Sequence, residues 1–264
     1  VITSTANSRV KYARSLYRRP VRHREKRFVV EGVRLVEEMV KTGQEPVFFF
    51  YTEDAAKDPR ARSLIDGMLS SDVETALVSQ EVMGAMSDTR TPQGILAIAG
   101  FPEWGAAGSD LVLVLDRVRD PGNLGTILRT AQAAGVGLVI TLRGTVDVFS
   151  PKVVRGAMGA HFRLAIAWDC HWEDVRRTAQ RGQVLLATPR GGQAYYDLDW
   201  TGPTTVVVGG EARGAGREAH EWATGLVSVP MADAVESLNV AVASSVILFE
   251  AARQRREGRL GQNR

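Results

Sequence analysis

Apolar residues recur along the chain in two rhythms. Short runs at 27–30, 47–51, 75–78 and 94–99 carry the β-branched and aromatic residues typical of strands, whereas Val33, Val36, Met39 and Val40 fall on one face of a helix. Further helices are predicted around 61–69 and 79–86, after an opening helix crowded with basic side chains. These elements predict one compact α/β unit over residues 1–100. Residues 101–109, rich in Pro, Gly and Ala and without a period, read as a linker. From 110 to 264 the alternation restarts, with strand-like runs at 111–115, 138–142, 164–167, 184–187, 205–208 and 226–229. Helical stretches lie between most of them, which predicts a second domain built on a mainly parallel sheet covered on both faces.

Ligands of such sheets bind outside the carboxyl ends of the strands. Four loops of the second half leave strands there: 116–123, 188–192, 209–214 and 229–231. Two predicted helices also begin with polar residues ahead of an apolar face. Asn123 and Arg129 fall in the helix over 120–131, and Ser237 and Asn239 at the mouth of the one over 236–250. Polar side chains at a helix start hold either the open backbone donors or a ligand.

Composition changes this picture in one respect, the distribution of charge. The chain has 264 residues and a net charge of +3, but residues 1–34 hold ten Lys/Arg against two Glu, so the rest is slightly acidic. Arg9, Lys11, Arg14, Arg18, Arg19, Arg22, Arg24, Lys26 and Arg27, interleaved with Tyr12 and Tyr17, form either a phosphate-tracking surface with stacking rings or a solvated helix face. Arg253, Arg255, Arg256 and Arg259 near the end of the last helix suit the helix macrodipole as well as a ligand. No apolar run is long enough to span a bilayer, and the basic N-terminal residues lack the apolar stretch of a secretory signal, which points to the cytoplasm. Cys170 is the only cysteine, which rules out an internal disulfide and a cysteine zinc cage.

The common catalytic fingerprints are absent. Neither G-x-G-x-x-G nor G-x-x-x-x-G-K-[ST] occurs at the glycine clusters, no G-x-S-x-G elbow appears, and His23, His161, His171 and His220 lack paired metal-ligand spacing. Dehydrogenase, P-loop ATPase, serine hydrolase and metalloenzyme readings lose their usual supports, and no metal is expected.

Three other segments carry a resemblance. N-L-G-T-I-L-R-T-A at 123–131, V-G-G-E-A-R-G at 208–214 and V-P-M-A-D-A-V-E-S-L-N-V-A-V-A at 229–243 resemble, in order, the three motifs of the SpoU/TrmH family of RNA ribose 2′-O-methyltransferases, within the SPOUT class. Residues 1–100 resemble that family's ribosomal-protein-like α/β RNA-binding domain. For 110–264 the resemblance implies a SPOUT Rossmann-like parallel sheet with a deep trefoil knot, and S-adenosyl-L-methionine as cofactor.

By resemblance the cofactor-binding positions are Thr188, Gly209, Val229, Met231 and Leu238. Without it, Val229, Met231 and Leu238 would read as ordinary core. The catalytic set implied is Arg129 with Asn123, Glu211, Ser237 and Asn239. Ser237 also reads as a helix N-cap. Arg155 joins the basic N-terminal residues as an RNA-binding candidate, or is a solvated helix residue. The chain departs from the family pattern at Gly210, where Ser or Asn is common, at Ala212, where Gly is frequent, and at Asp233, where Gly is usual. The implied function is methyl transfer to a ribose 2′-hydroxyl of RNA, ribosomal RNA ahead of transfer RNA, by a homodimer joined through the last helix and the first helix of the second domain. The alternative is a non-catalytic RNA-binding or assembly factor that retains the fold.

Overall fold

The computed structural model describes residues 1–103, 110–179, 182–211, 214–233 and 235–262, with the backbone alone over 259–262. Residues 104–109 of the expected linker, Ala212 and the side chain of Arg259 lie outside the described residues. In chain order the elements are α1 (Ser8–Ser15), α2 (Arg19–Glu25), β1 (Arg27–Glu31), α3 (Val33–Lys41), β2 (Phe48–Tyr51), α4 (Pro59–Leu69), β3 (Thr75–Leu77), α5 (Gln80–Met86) and β4 (Ile95–Gly100). There follow β5 (Leu111–Asp116), α6 (Pro121–Ala134), β6 (Leu138–Leu142), α7 (Pro151–Ala157), β7 (Ala165–Cys170), α8 (Trp172–Thr178), β8 (Gln183–Ala187), β9 (Gln193–Ala194), β10 (Thr204–Gly209), α9 (Arg217–Trp222), β11 (Gly225–Ser228) and α10 (Val240–Gln262).

Two compact units result. The first comprises Val1–Glu103 together with Phe149–Phe162, a stretch whose sequence lies between β6 and β7. Its sheet has the order β1-β4-β2-β3, with β4 antiparallel to β1 and β2, so that β1, β2 and β3 point the same way. Phe28 of β1 is fully buried among Phe101, Phe149 and Phe162, with ring centroids 5.1 to 6.0 Å away. Phe101 and Phe149 stack at 3.7 Å. The inserted stretch thus closes the aromatic core of this unit.

The single basic helix expected at the start is two. Asn7 caps α1 by accepting from the Arg9 N–H at 2.9 Å. The chain then breaks, and α2 restarts with Pro20 in its first turn, where a missing N–H costs nothing. Lys26 ends α2 in the left-handed region at φ 49°. The break is held from inside: Arg22 is 3% exposed and its Nη1 donates to the Leu16 carbonyl at 2.8 Å.

The second unit comprises Trp104–Val148 and Arg163–Arg264. Its seven strands run in the order β7-β6-β5-β10-β8-β11-β9, and every pair is parallel. β5 is buried along its whole length, as a central strand covered on both faces must be. One strand escaped the sequence pattern, the two-residue edge strand β9, too short to show a period. Among the described residues no helix is long and apolar enough to cross a membrane.

Candidate active site

The carboxyl ends of β8, β10 and β11 and the start of α10 enclose a cavity of about 460 Å³, within the roughly 300–1,000 Å³ typical of small-molecule sites. All five cofactor candidates, Thr188, Gly209, Val229, Met231 and Leu238, line it, and so do Glu211, Ser237 and Asn239. Val208, Val240 and Ile247 extend the apolar wall. At Gly209 a Cβ would come within 2.1 Å of the Ala215 nitrogen, and at Gly210 within 2.1 Å of the Arg117 carbonyl oxygen. Gly210 is therefore required here, because the backbone leaves no space for the Ser or Asn of the family pattern.

These residues suit a cofactor with an apolar ring system and a charged tail. The Thr188 hydroxyl is buried in the lining without a hydrogen-bond partner among the described residues. A buried polar atom left this way is expensive unless a ligand completes it. The apolar side chains Val229, Met231 and Leu238 suit a planar base, and the rim of Glu211, Ser237 and Asn239 suits polar groups.

A chain of hydrogen bonds ties the rim to the first helix of this unit. Asp120 caps α6 by accepting from the Asn123 N–H at 2.8 Å, which leaves the Asn123 side chain free to turn outward. Asn123 Nδ2 donates to Glu211 Oε1 at 2.8 Å, and Asn239 Nδ2 donates to Asn123 Oδ1 at 3.0 Å. Asn239 Oδ1 accepts from the Ala241 N–H at 2.9 Å, so Asn239, and not Ser237, caps α10. Ser237 lies in the irregular segment before the helix and lines the cavity. Partial burial disfavours the charged form of Glu211, but hydrogen bonds from Asn123 and from backbone N–H groups outweigh it and hold its carboxyl below the ordinary range.

Asp116, at the end of β5, was not singled out in the sequence. It is 4% exposed; its Oδ2 accepts from the Gly216 N–H at 2.6 Å and its carbonyl from the Gly210 N–H at 2.8 Å. One residue, through its carboxylate and its backbone carbonyl, therefore holds both Gly210 and Gly216. A lone Asp closing an apolar run was the available signal.

Arg129 stands apart from this constellation. It is six residues beyond Asn123 on α6, roughly 120° around the helix, exposed and without a hydrogen bond or ion pair among the described residues. It does not line the cavity.

In the first unit the basic set divides. Lys11, Arg14 and Arg18 are exposed with no partner among the described residues, and Arg19 is exposed. Arg9 pairs with Glu74 and lies over the Phe48 ring, Arg24 pairs with Glu25 at 2.9 Å, and Arg155 with Asp88 at 3.0 Å. Arg22, buried as a brace for the break between α1 and α2, leaves the RNA-binding set. Tyr12 and Tyr17 pack against the core instead of offering free rings. Burial pushes the Cys170 thiol up to about 11, helped by Asp174 and Asp169, which makes it a poor nucleophile. Among the described residues no group of His, Cys, Asp and Glu could hold a metal ion.

The fold and the cavity define a class, a two-unit α/β protein with a small-molecule-sized pocket at the strand ends of its parallel sheet. Residues 110–249 match the SpoU rRNA methylase family, and residues 7–97 match the MRM3-like substrate-binding domain. The chain belongs to the SpoU rRNA methylase family. It is 32% identical to the 23S rRNA (guanosine(2553)-2′-O)-methyltransferase RlmP of Bacillus subtilis, over 94% of this chain and 97% of the relative. An AdoMet-bound rRNA methyltransferase from Sinorhizobium meliloti superposes with a TM-score of 0.84 at 30% identity, covering 96% of this chain and 97% of the other. The SpoU methyltransferase AviRb from Streptomyces viridochromogenes, in complex with AdoMet, superposes with a TM-score of 0.82 at 29% identity, covering 96% and 100%.

Proposed function

We propose that this protein transfers a methyl group from S-adenosyl-L-methionine to a ribose 2′-hydroxyl of ribosomal RNA, in the cytoplasm. The observation that carries the reading is the convergence of Thr188, Gly209, Val229, Met231 and Leu238 on one cavity whose rim is the Asn123–Glu211–Asn239 chain. S-Adenosylmethionine, when bound, supplies a methyl group made electrophilic by a positively charged sulfur. The Thr188 hydroxyl and the apolar wall hold that cofactor.

A ribose hydroxyl is a weak nucleophile, so orientation and charge stabilisation must supply the rate. Both Glu211 oxygens already accept hydrogen bonds, from Asn123 and from the Arg119 N–H, so Glu211 acts as a strut that sets the rim. Arg129 is the catalytic residue by motif resemblance, although it lies outside the cavity of its own chain. Its guanidinium stays protonated, so it orients an RNA phosphate and stabilises the developing alkoxide instead of accepting the proton. Lys11, Arg14, Arg18 and Arg19 supply phosphate contacts in the substrate unit.

The reading includes two finer features. The 188–192 connection from β8 to β9 spans the position that β11 later fills. Thr188 N–H bonds to the Val227 carbonyl, and Ser228 Oγ to the Gly192 carbonyl at 2.8 Å, contacts that support passage of the chain through a loop, as in a trefoil knot. Pulling the chain by its ends would then leave it short of full extension; full extension would refute the knot. Exposed Val242 and Phe249 on α10, beside α6 through the Thr130–Ser245 hydrogen bond, support a homodimer on that face. Sedimentation as a monomer at working concentration would refute it.

Purified protein is expected to bind S-adenosylmethionine in titration calorimetry and to transfer labelled methyl to a ribosomal RNA fraction. Binding without transfer to any RNA would reduce it to a binding factor. Transfer to transfer RNA alone would reassign the substrate.

A further inference from the structure

The first unit has a cavity of its own, of about 400 Å³, at the carboxyl ends of β1, β2 and β3. Its floor is rigid. Gly94, at φ 74°, packs so closely that a Cβ would meet the Thr52 hydroxyl and the Ala55 methyl, and Thr52, 1% exposed, accepts from the Ala55 N–H at 3.2 Å.

The charged groups of its lining are largely matched, in part by residues just outside it. Asp54 accepts from Lys57 at 2.5 Å and from Gln80 Nε2 at 2.9 Å, Asp58 caps α4 through the Ala61 N–H at 2.9 Å, and Arg60 forms a forked pair with Glu37. The two glutamines are each half used. Gln80 must present its amide nitrogen to a carboxylate, which leaves its carbonyl oxygen open. Gln93 must present its oxygen to the Val33 N–H, at 3.2 Å, which leaves its amide donors open. The Arg34 guanidinium, on the wall, has no partner among the described residues.

An open acceptor and an open amide donor on a stiff frame complement the edge of a nucleobase. Matched carboxylates make the same place poor for a phosphate, which the exposed cations of α1 serve better. We propose that this cavity receives one unpaired base of the RNA substrate, its edge held by Gln80 and Gln93 and its face or sugar by Arg34. The proposal rests on the reading of the protein as an RNA enzyme. A base still paired in an A-form helix cannot enter, so the site selects a looped-out or single-stranded nucleotide.

Filter binding to poly(A), poly(U), poly(C), poly(G) and a poly(A)·poly(U) duplex tests it. The full chain is expected to favour at least one single strand over the duplex. Gln80→Ala combined with Gln93→Ala is expected to erase the preference among strands by about tenfold while leaving the slope of affinity against salt unchanged. Lys11→Ala with Arg14→Ala should instead flatten that slope and keep the preference. Photocrosslinking of 4-thiouridine-substituted RNA to the unaltered protein, read by peptide mapping, is expected to mark Arg34, Gln80 or Gln93. Unchanged strand preference in the glutamine variant, or crosslinks confined to α1, would overturn the cavity assignment while methyl transfer by the same preparation leaves the enzyme reading intact. Absence of both RNA binding and transfer would overturn both.

Discussion

The two cavities occupy corresponding places, at the carboxyl ends of parallel strands, yet they are built from opposite materials. That of the second unit has an apolar wall, a buried hydroxyl without a hydrogen-bond partner among the described residues, and a polar rim. That of the first is lined by side chains whose charges cancel and whose amides are half spent. Strand ends supply a place to bind, and the loops decide what is bound. An apolar wall gains from burying a ring, whereas an amide-lined wall gains only from a ligand that matches its donors and acceptors.

The largest effect is expected from Arg129→Ala, at a residue that lines neither cavity, which tests the chemical step apart from both. Loss of a cation that stabilises charge in the transition state is expected to lower the single-turnover rate by about 10²–10³-fold. Calorimetric affinity for S-adenosylmethionine and strand preference in filter binding should both stay. A variant with normal turnover would remove Arg129 from the reaction.

Gly210→Ser acts on one cavity alone. Its Cβ would press on the Arg117 carbonyl, and overpacking of this kind costs roughly 1–3 kcal/mol. Calorimetric melting should register that loss together with weakened cofactor binding, while RNA preference persists. Wild-type cofactor affinity would show that the 210–216 loop yields freely.

A smaller effect is expected from Asn239→Ala, which removes both the α10 cap and the donor to Asn123. Loss of a cap costs about 1 kcal/mol, visible in urea denaturation, and turnover should fall more than cofactor affinity. Stability equal to wild type would mean that the helix start is capped by other means.

The mildest probe is pH. The Glu211 carboxyl is held below its ordinary value of 4.5, so its ionised form contributes fully at neutral pH. That contribution disappears as pH falls below 4.5 and through the lower folded value. Cofactor affinity should weaken over that window in the wild type and vary less in Glu211→Gln. Identical pH profiles would discharge Glu211 from the rim.

Much of the second unit could be read in advance because its signals are local. The runs of β5, β6, β8 and β10 are continuous and mostly buried, and the three motifs lie at or beyond the carboxyl ends of β5, β10 and β11, which the parallel order brings to one end. What could not be read depends on contacts between distant residues. Arg22 looks like its basic neighbours until the break after Leu16 turns it inward. Ser237 and Asn239 are equivalent cap candidates until Asn239 takes the Ala241 N–H. Gly210 departs from the family pattern for a reason visible only when the Arg117 carbonyl is beside it. The first unit's cavity gave no pattern at all, since Arg34, Gln80 and Gln93 share neither a motif nor a period.

Phe149 and Phe162 cover Phe28, although more than forty residues of chain separate them from the rest of their unit. Anyone excising that unit by cutting after Glu103 would strip the lid from its aromatic centre and recover a sticky fragment. A usable minimal version needs residues 149–162 grafted back through a short tether, because the chain passes between the units three times instead of once.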